Sequence, residues 1–243
     1  MTQPVCMVIG AGDDTGAAIA RAFAREGLAS VLVRRPRHAD ALETLAASIR
    51  AEGGAAYPRP CDARDEDAMR ALFAGVEAEL GPIEICVFNI GANVNFPISE
   101  TTAQVYRKVW EMAAFAGFLA GREAARLMAP RGRGTILFTG ATASLRGGPG
   151  YAAFAGAKFA LRALAQSMAR ELGPQGVHVA HIVIDGMIDS RFIRENVPDA
   201  DDRCKSAALL SPDAIAANYV ILWKQPRDAW THELDLRPAS ERW

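Results

Sequence analysis

The stretch Gly10-Ala11-Gly12-Asp13-Asp14-Thr15-Gly16 decides the fold of this chain. The apolar run before it, over residues 4–10, has the pattern of a strand that is buried on both faces. A helix is predicted over residues 17–27, because apolar side chains recur there at helical spacing until a glycine ends them. Glycines between a strand and a helix allow a tight turn and let a pyrophosphate approach the free N–H groups of the helix. The stretch therefore predicts a strand–turn–helix unit with a nucleotide site.

Two acids stand inside this turn. Asp14 occupies the place where a third glycine is expected, and Asp13 precedes it. Aspartate tolerates the left-handed region and is able to cap a helix. Two carboxylates beside a pyrophosphate nevertheless oppose its binding, unless they point away or accept from N–H groups. A capped helix that binds no ligand remains the alternative for this turn.

The rest of the chain alternates between strand and helix patterns. Further strands are predicted over residues 30–33, 55–60, 83–88, 134–138 and 177–184, with a possible last strand over 231–236. Helices are predicted over residues 39–52, 66–80, 103–128 and 151–172. This alternation indicates an α/β fold, with a Rossmann-like doubly wound parallel sheet in a single domain over residues 1–243. Residues 186–210, which we call the lid region, are expected to be irregular and to cover a ligand; a surface insertion is the alternative.

Composition excludes several classes of protein. The chain has 243 residues with 27 basic and 28 acidic side chains, so no general attraction to nucleic acid or to an anionic membrane is expected. No apolar run is long enough to span a bilayer, and no basic segment of a secretory signal precedes the first strand. Four scattered cysteines show no metal-ligand spacing and suggest a reducing cytoplasm. We therefore expect a cytoplasmic protein without a metal site.

The residues after the second strand indicate the preferred nicotinamide cofactor. An acid at this position would hold the ribose 2′-hydroxyl of NAD(H), whereas a cation would accept the 2′-phosphate of NADP(H). The chain has Arg34, Arg35 and Arg37 here and no acid. This charge favours NADP(H) over NAD(H). A solvated basic turn is the alternative.

These motifs together resemble those of the short-chain dehydrogenase/reductase family over nearly the whole chain. The segments that carry the resemblance are residues 10–16, 61–62, 88–91, 139–144, 154–158 and 185–190. The resemblance implies a set of cofactor-binding residues: Gly10, Gly12, Asp14, Thr15, Gly16, Arg34, Arg35, Asp62, Asn89, Gly91, Lys158, Gly186 and Ser190.

The resemblance also implies a role for several of them. Asp62 would bond the adenine amino group, and Asn89 with Gly91 would form a backbone wall beside the cofactor. Lys158 would hold the hydroxyls of the nicotinamide ribose, and Ser190 stands where the family has a threonine that contacts the carboxamide. Asp185 replaces a proline of the family.

The catalytic positions depart from the family. Its active site uses an Asn, a Ser, a Tyr and a Lys, and the matching residues here are Ala113, Ala141, Phe154 and Lys158. A phenyl ring has no proton to give, and loss of a positioned general acid costs about 10²–10⁴ in rate.

Other hydroxyls are available as substitutes. Tyr151 lies one helical turn before Phe154 on the face that also carries Lys158. Thr142, Thr139 and Ser144 lie near the vacant Ser position. Lys158, Tyr151 and Thr142 are therefore the candidate catalytic residues.

Two functions follow from this pattern. The first is an NADP(H)-dependent oxidoreductase that acts on a small carbonyl or alcohol substrate with a non-standard proton donor. The second is a catalytically inactive family member that serves as a nucleotide-binding or partner subunit. The resemblance further implies a homodimer or homotetramer through residues 103–128 and 151–172, where Trp110, Phe115 and Phe118 are compatible with such an interface or with core packing.

Overall fold

One parallel sheet organises the molecule. The computed structural model describes residues 3–241. Seven strands pair in the order β3-β2-β1-β4-β5-β6-β7, and every pair is parallel. The strands are β1 (Val5–Ile9), β2 (Ala29–Arg34), β3 (Ala55–Pro60), β4 (Ile83–Phe88), β5 (Gly134–Thr139), β6 (Val177–Ile184) and β7 (Glu233–Leu236). The strand order reverses between β1 and β4, which opens a crevice at the carboxyl ends of these two strands. The predicted doubly wound α/β fold is confirmed.

Helices connect these strands and cover both faces of the sheet. They are α1 (Thr15–Arg25), α2 (Ala39–Ala51), α3 (Glu66–Glu79), α4 (Ala103–Trp110), α5 (Ala116–Met128), α6 (Ala152–Leu172), α7 (Arg191–Asn196), α8 (Ala200–Lys205) and α9 (Pro212–Trp223). A π-helical turn, Glu111–Phe115, joins α4 to α5. The helix predicted over residues 103–128 is therefore one long element with a local change of helical pitch. None of the helices in the described part of the chain is long and apolar enough to cross a membrane.

Alternate residues of the central strands enter two separate cores. Met7 of β1 packs in the core that includes Phe73 of α3 and Leu161 of α6. Its neighbour Val8 packs in the opposite core, which includes Phe23 of α1 and Tyr219 of α9. This alternation follows from the two-residue period of a strand, and it explains why β1 is apolar at every position.

The lid region differs from its prediction. The prediction of an irregular backbone over residues 186–210 is wrong, because this segment contains α7 and α8. The Ser190 hydroxyl accepts from the Ile193 N–H at the start of α7, and Arg194 forms ion pairs with Asp189 and Asp201. The many charges that suggested an irregular segment are therefore ion pairs that hold two short helices. The helix α9, which begins after the lid region, is not among the predicted helices.

Close packing of α1 onto the glycine turn predicts a stability difference between two glycines. A Cβ atom on Gly16 would overlap the Gly10 carbonyl oxygen, whereas a Cβ on Gly12 would meet nothing within 4 Å. Gly16→Ala should lower the free energy of unfolding by about 1–3 kcal/mol, because backbone atoms must move to admit the methyl group. Gly12→Ala should change it by no more than about 0.5 kcal/mol. Urea denaturation measures both, and equal effects would contradict this account of the turn.

Candidate functional site

The glycine turn and the loop after β4 meet with no room for a side chain between them. Gly10 has a φ of +97°, and a Cβ atom there would lie 2.7 Å from the Asn89 carbonyl oxygen. Asn89 donates from Nδ2 to the Gly10 carbonyl oxygen at 3.1 Å and from its backbone N–H to Ile9 at 2.8 Å. Only glycine tolerates both this φ and this contact. The two loops therefore form a continuous backbone wall at the crevice.

A cavity of about 230 Å³ opens beside this wall. Seven of the residues predicted to bind the cofactor line it: Gly10, Gly12, Arg34, Arg35, Asp62, Asn89 and Gly91. A Cβ atom on Gly12 or on Gly91 would meet nothing within 4 Å, so at both positions the backbone faces open space. Sequence reasoning did not assign the other lining residues, among which His38 and Arg64 are polar. His38 belongs to the basic turn after β2, and its place in that turn is the sequence feature from which its position at the cavity could have been predicted.

Asp62 forms an ion pair with Arg64. Arg64 donates from Nε and from NH2 to the two carboxylate oxygens of Asp62, at 3.0 and 2.6 Å. These hydrogen bonds hold the pKa of Asp62 below its usual range. The remaining lone pairs of the carboxylate are still able to accept a hydrogen bond from a ligand.

The arginines at the end of β2 and just after it differ in whether a carboxylate pairs with them. Arg34 forms an ion pair with Asp13, with 3.0 Å between NH1 and Oδ1. In the described part of the chain, no carboxylate lies within ion-pair distance of Arg35. Partial burial and the neighbouring Arg37 and Arg64 lower the pKa of Arg35, although a guanidinium remains charged. The cavity therefore has an excess of positive charge at this end.

Other predicted cofactor residues lie outside the lining of this cavity. Thr15 and Gly16 begin α1 and are buried, and Gly186 follows β6 with a φ of +153°. Asp14 stands at the N-cap position of α1, but its carboxylate makes no capping hydrogen bond. It accepts instead from the backbone N–H of Arg191 at 3.0 Å. Of the possibilities that the sequence leaves open for Asp14, capping of α1 is therefore not the one observed, because the lid region supplies a donor that the local sequence does not reveal.

Lys158 is buried at the end of the same crevice. Its side chain projects from α6, and Nζ donates to the carbonyl oxygens of Thr139 at 2.8 Å and Ile90 at 3.1 Å. Only 2% of the residue is exposed, and burial lowers the pKa of Lys158 to about 7. The ring of Phe154 lies 5.9 Å from Nζ, measured to the ring centroid. The lysine therefore ties α6 to the segments at the ends of two strands.

Apolar side chains occupy the three departing positions. Ala113 and Phe154 are buried, and Ala141 is half-buried. The nearby hydroxyls are engaged elsewhere. Thr139 shares a hydrogen bond with Tyr219 at 2.7 Å, and Ser144 accepts from the Ala141 N–H at 3.1 Å. These two hydroxyls hold the local backbone and the side chains behind it.

Thr142 and Tyr151 differ in their hydrogen bonding and in their exposure to solvent. Thr142 donates to Asp185 at 2.6 Å, and Arg146 donates to both oxygens of the same carboxylate. Burial opposes ionisation of Asp185, but these hydrogen bonds together hold its pKa below the usual range. Tyr151 precedes α6 and remains 36% exposed. Of the two predicted substitutes, Tyr151 is the more exposed residue.

Comparison with known proteins gives a consistent result. A family model described as short chain dehydrogenase matches residues 4–201. A crystal structure of a short-chain dehydrogenase from Rhodopseudomonas palustris is 50% identical, covers 97% of this chain and 98% of its own, and superposes with a TM-score of 0.82. A metagenomic short-chain oxidoreductase in complex with NADP is 25% identical, covers 98% of each chain and has a TM-score of 0.80. The inactive 2-(S)-hydroxypropyl-CoM dehydrogenase 2 of Xanthobacter autotrophicus is 34% identical over 79% of this chain and 81% of its own.

Burial of Lys158 predicts a pH dependence of stability. Between about pH 7 and pH 10 the unfolded chain binds a proton at this lysine that the folded chain does not, so stability rises with pH. The free energy of unfolding should rise by up to about 2 kcal/mol from pH 7 to pH 9 on account of this group. Urea denaturation at both pH values should show a smaller rise for Lys158→Met. The exposed Lys108→Met is the control and should keep the rise of the unmodified chain; equal rises in all three proteins would contradict the prediction.

Proposed function

The chain belongs to the short-chain dehydrogenase family, and we propose that it is an NADP(H)-dependent oxidoreductase of a small carbonyl or alcohol substrate. The observation that carries the proposal is the cavity at the carboxyl ends of β1, β2 and β4. Seven residues that the sequence implies for cofactor binding come from separate segments of the chain and line this one space. A concave site with convergent polar groups at this edge of an open α/β sheet is typical of a ligand-binding site.

The residues present fit a nicotinamide dinucleotide. Gly12 and Gly91 leave open space where other residues would place a Cβ atom, so a ligand is able to approach the backbone there. Asp62 keeps acceptor capacity for an adenine amino group. In our proposal the glycine turn holds the pyrophosphate, and Lys158 with Ser190 holds the nicotinamide end. A bound nicotinamide supplies or accepts the hydride.

Positive charge after β2 supports NADP(H) as the cofactor. Arg35 lines the cavity without a carboxylate partner in the described part of the chain, and Arg37 lies close enough to lower its pKa. A phosphate dianion is the ligand that such a pair of guanidinium groups prefers. The metagenomic relative, which is in complex with NADP, is consistent with this preference.

We propose Tyr151 as the proton donor. Tyr151 is the most exposed residue among the candidates, and the Thr142 hydroxyl already donates a hydrogen bond to Asp185. Lys158 contributes a positive charge at Nζ when protonated, and its pKa of about 7 makes this charge dependent on pH near neutrality.

A catalytically inactive member is the second candidate function. Apolar residues at positions 113, 141 and 154 support it, because they remove the groups that the family uses to hold and protonate an oxygen. A relative that is 34% identical is itself named as inactive. The cavity would then bind a nucleotide without turnover, or the chain would act as a partner subunit.

Assembly into a homodimer or homotetramer stays a prediction. Trp110 and Phe118 are partly exposed, and each stacks on Phe115 along the outer face of α4 and α5. Arg122 lies 5.3 Å above the Phe118 ring. An exposed aromatic row of this kind is typical of protein interfaces, which supports a second copy of the chain as the partner.

Cofactor binding is the first test of the proposal. Titration of the purified chain with NADPH should enhance the cofactor fluorescence with saturation well below millimolar concentration. Arg35→Met should weaken NADPH binding by about tenfold and leave NADH within twofold, because only NADPH carries the 2′-phosphate. Arg170→Met, which removes an exposed guanidinium from α6, is the matched control and should change neither. Absence of NADPH binding at millimolar concentration would contradict the oxidoreductase proposal.

Tyr151→Phe tests the proton donor. With NADPH and a panel of small aldehydes and ketones, this substitution should lower kcat by about 10²–10⁴ while the Kd for NADPH stays within twofold. Tyr57→Phe, on β3, should leave kcat unchanged. The combined Ala113→Asn, Ala141→Ser and Phe154→Tyr variant should raise carbonyl reduction and shows that the assay detects it. Unchanged turnover of Tyr151→Phe would remove this residue from the mechanism.

A further inference from the structure

We propose that Asp13 is an internal counter-ion of Arg34 that limits how strongly the site prefers a cofactor with a 2′-phosphate. This inference rests on the proposed function, since it concerns the same cofactor cavity. It assigns to Asp13 a role in specificity, although the residue is not among those implied for cofactor binding.

The ion pair joins a residue outside the cavity lining to one that lines the cavity. Asp13 lies in the glycine turn after β1, and Arg34 is the last residue of β2. The distance between Oδ1 of Asp13 and NH1 of Arg34 is 3.0 Å. The arginine side chain is 24% exposed and lines the cavity, whereas the aspartate side chain is 61% exposed. A carboxylate at the surface therefore reaches over to a guanidinium that faces the ligand space.

The distribution of charge makes this pair distinctive. Four guanidinium groups, those of Arg34, Arg35, Arg37 and Arg64, lie at this end of the cavity, and in the described part of the chain the carboxylates that form ion pairs with them are those of Asp13 and Asp62. Asp62 is held by Arg64 through two hydrogen bonds and is itself partly buried. Asp13 is the more exposed of the two acids and pairs with the arginine at the end of β2. Its charge is thus the one that most directly offsets Arg34.

Competition between anions follows from this arrangement. A 2′-phosphate that binds at Arg34 must share the guanidinium with Asp13 or displace the carboxylate. Repulsion between the phosphate and Asp13 adds to this cost, because the two anions would face the same cation. A cofactor without a 2′-phosphate meets neither cost. Asp13 therefore weakens NADP(H) selectively and brings its affinity closer to that of NAD(H).

The neighbouring acid provides an internal comparison. Asp14 has the same charge and lies one residue away, but it accepts from the Arg191 N–H of the lid region and makes no ion pair with Arg34. Its neutralisation changes the potential near the pyrophosphate, which both cofactors carry. Asp14→Asn should therefore shift the affinities for both cofactors by the same factor.

Fluorescence titration of the purified full chain with NADPH and with NADH tests the proposal. Asp13→Asn should lower the Kd for NADPH by about three- to tenfold and leave the Kd for NADH within about twofold. Glu52→Gln, which neutralises an exposed carboxylate that follows α2 and pairs with Arg21 and Arg25 of α1, should change neither value. In an Arg34→Met background, Asp13→Asn should change the ratio of the two Kd values by a smaller factor than in the unmodified chain, because only the direct repulsion between the two anions is then left to relieve.

The outcomes separate the two proposals. An unchanged ratio of Kd values in Asp13→Asn, or an equal shift for both cofactors, would overturn the assignment of Asp13. A ratio that changes by the same factor in the Arg34→Met background would also overturn it, because the effect would then not depend on Arg34. If neither cofactor binds to the unmodified chain, the proposed function itself fails. Circular dichroism of each variant ensures that the comparison is made between folded proteins.

Discussion

Three backbone segments meet in close contact where the strand order reverses between β1 and β4, and this contact determines the position of the crevice. Gly10 turns the chain out of β1 with a positive φ, Gly16 lets α1 lie against that turn, and Asn89 closes the other side with a hydrogen bond to Gly10. A side chain at either glycine would force the segments apart. Because the strand order reverses at this point, the same contact leaves the crevice in which the arginines, Asp62 and Lys158 are assembled.

Lys158 is the second constraint, and it links the fold to the chemistry. Its two hydrogen bonds reach carbonyl oxygens just beyond β4 and at the end of β5, so α6 is held to the sheet by a group that burial pushes toward its neutral form. The aromatic side chain beside this lysine is Phe154, which has no hydroxyl for Lys158 to act on. The crevice thus contains a buried amine, whereas the side chain at position 154 bears no oxygen. The hydrogen bonds of Lys158 to the two backbone carbonyls give a structural reason for its burial. A cofactor hydroxyl that binds Nζ in the proposed function would give a second reason.

The main features of the fold were predictable because they follow from local periodicity. The apolar runs at β1, β4 and β6 read as buried strands, and Ile83–Phe88 and Val177–Ile184 match their predicted bounds. The lid region was not predictable from the same rule, since α7 and α8 are held by ion pairs instead of an apolar stripe. The helix α9 is apolar on most of its surface, so it has no amphipathic period to detect. Pattern-based prediction fails in both places for a physical reason.

The site was predictable as a set of residues but not as a set of contacts. The sequence allowed the two acids of the glycine turn to cap α1, to point away or to repel a ligand, and nothing local decides among these. The partner of Asp13 lies on β2 and that of Asp14 lies in the lid region, 21 and 177 residues away. Each carboxylate is thus balanced by a donor from a distant segment. Acids in this turn therefore do not by themselves argue that the site has lost its nucleotide. The choice between an oxidoreductase and an inactive relative depends instead on the proton donor.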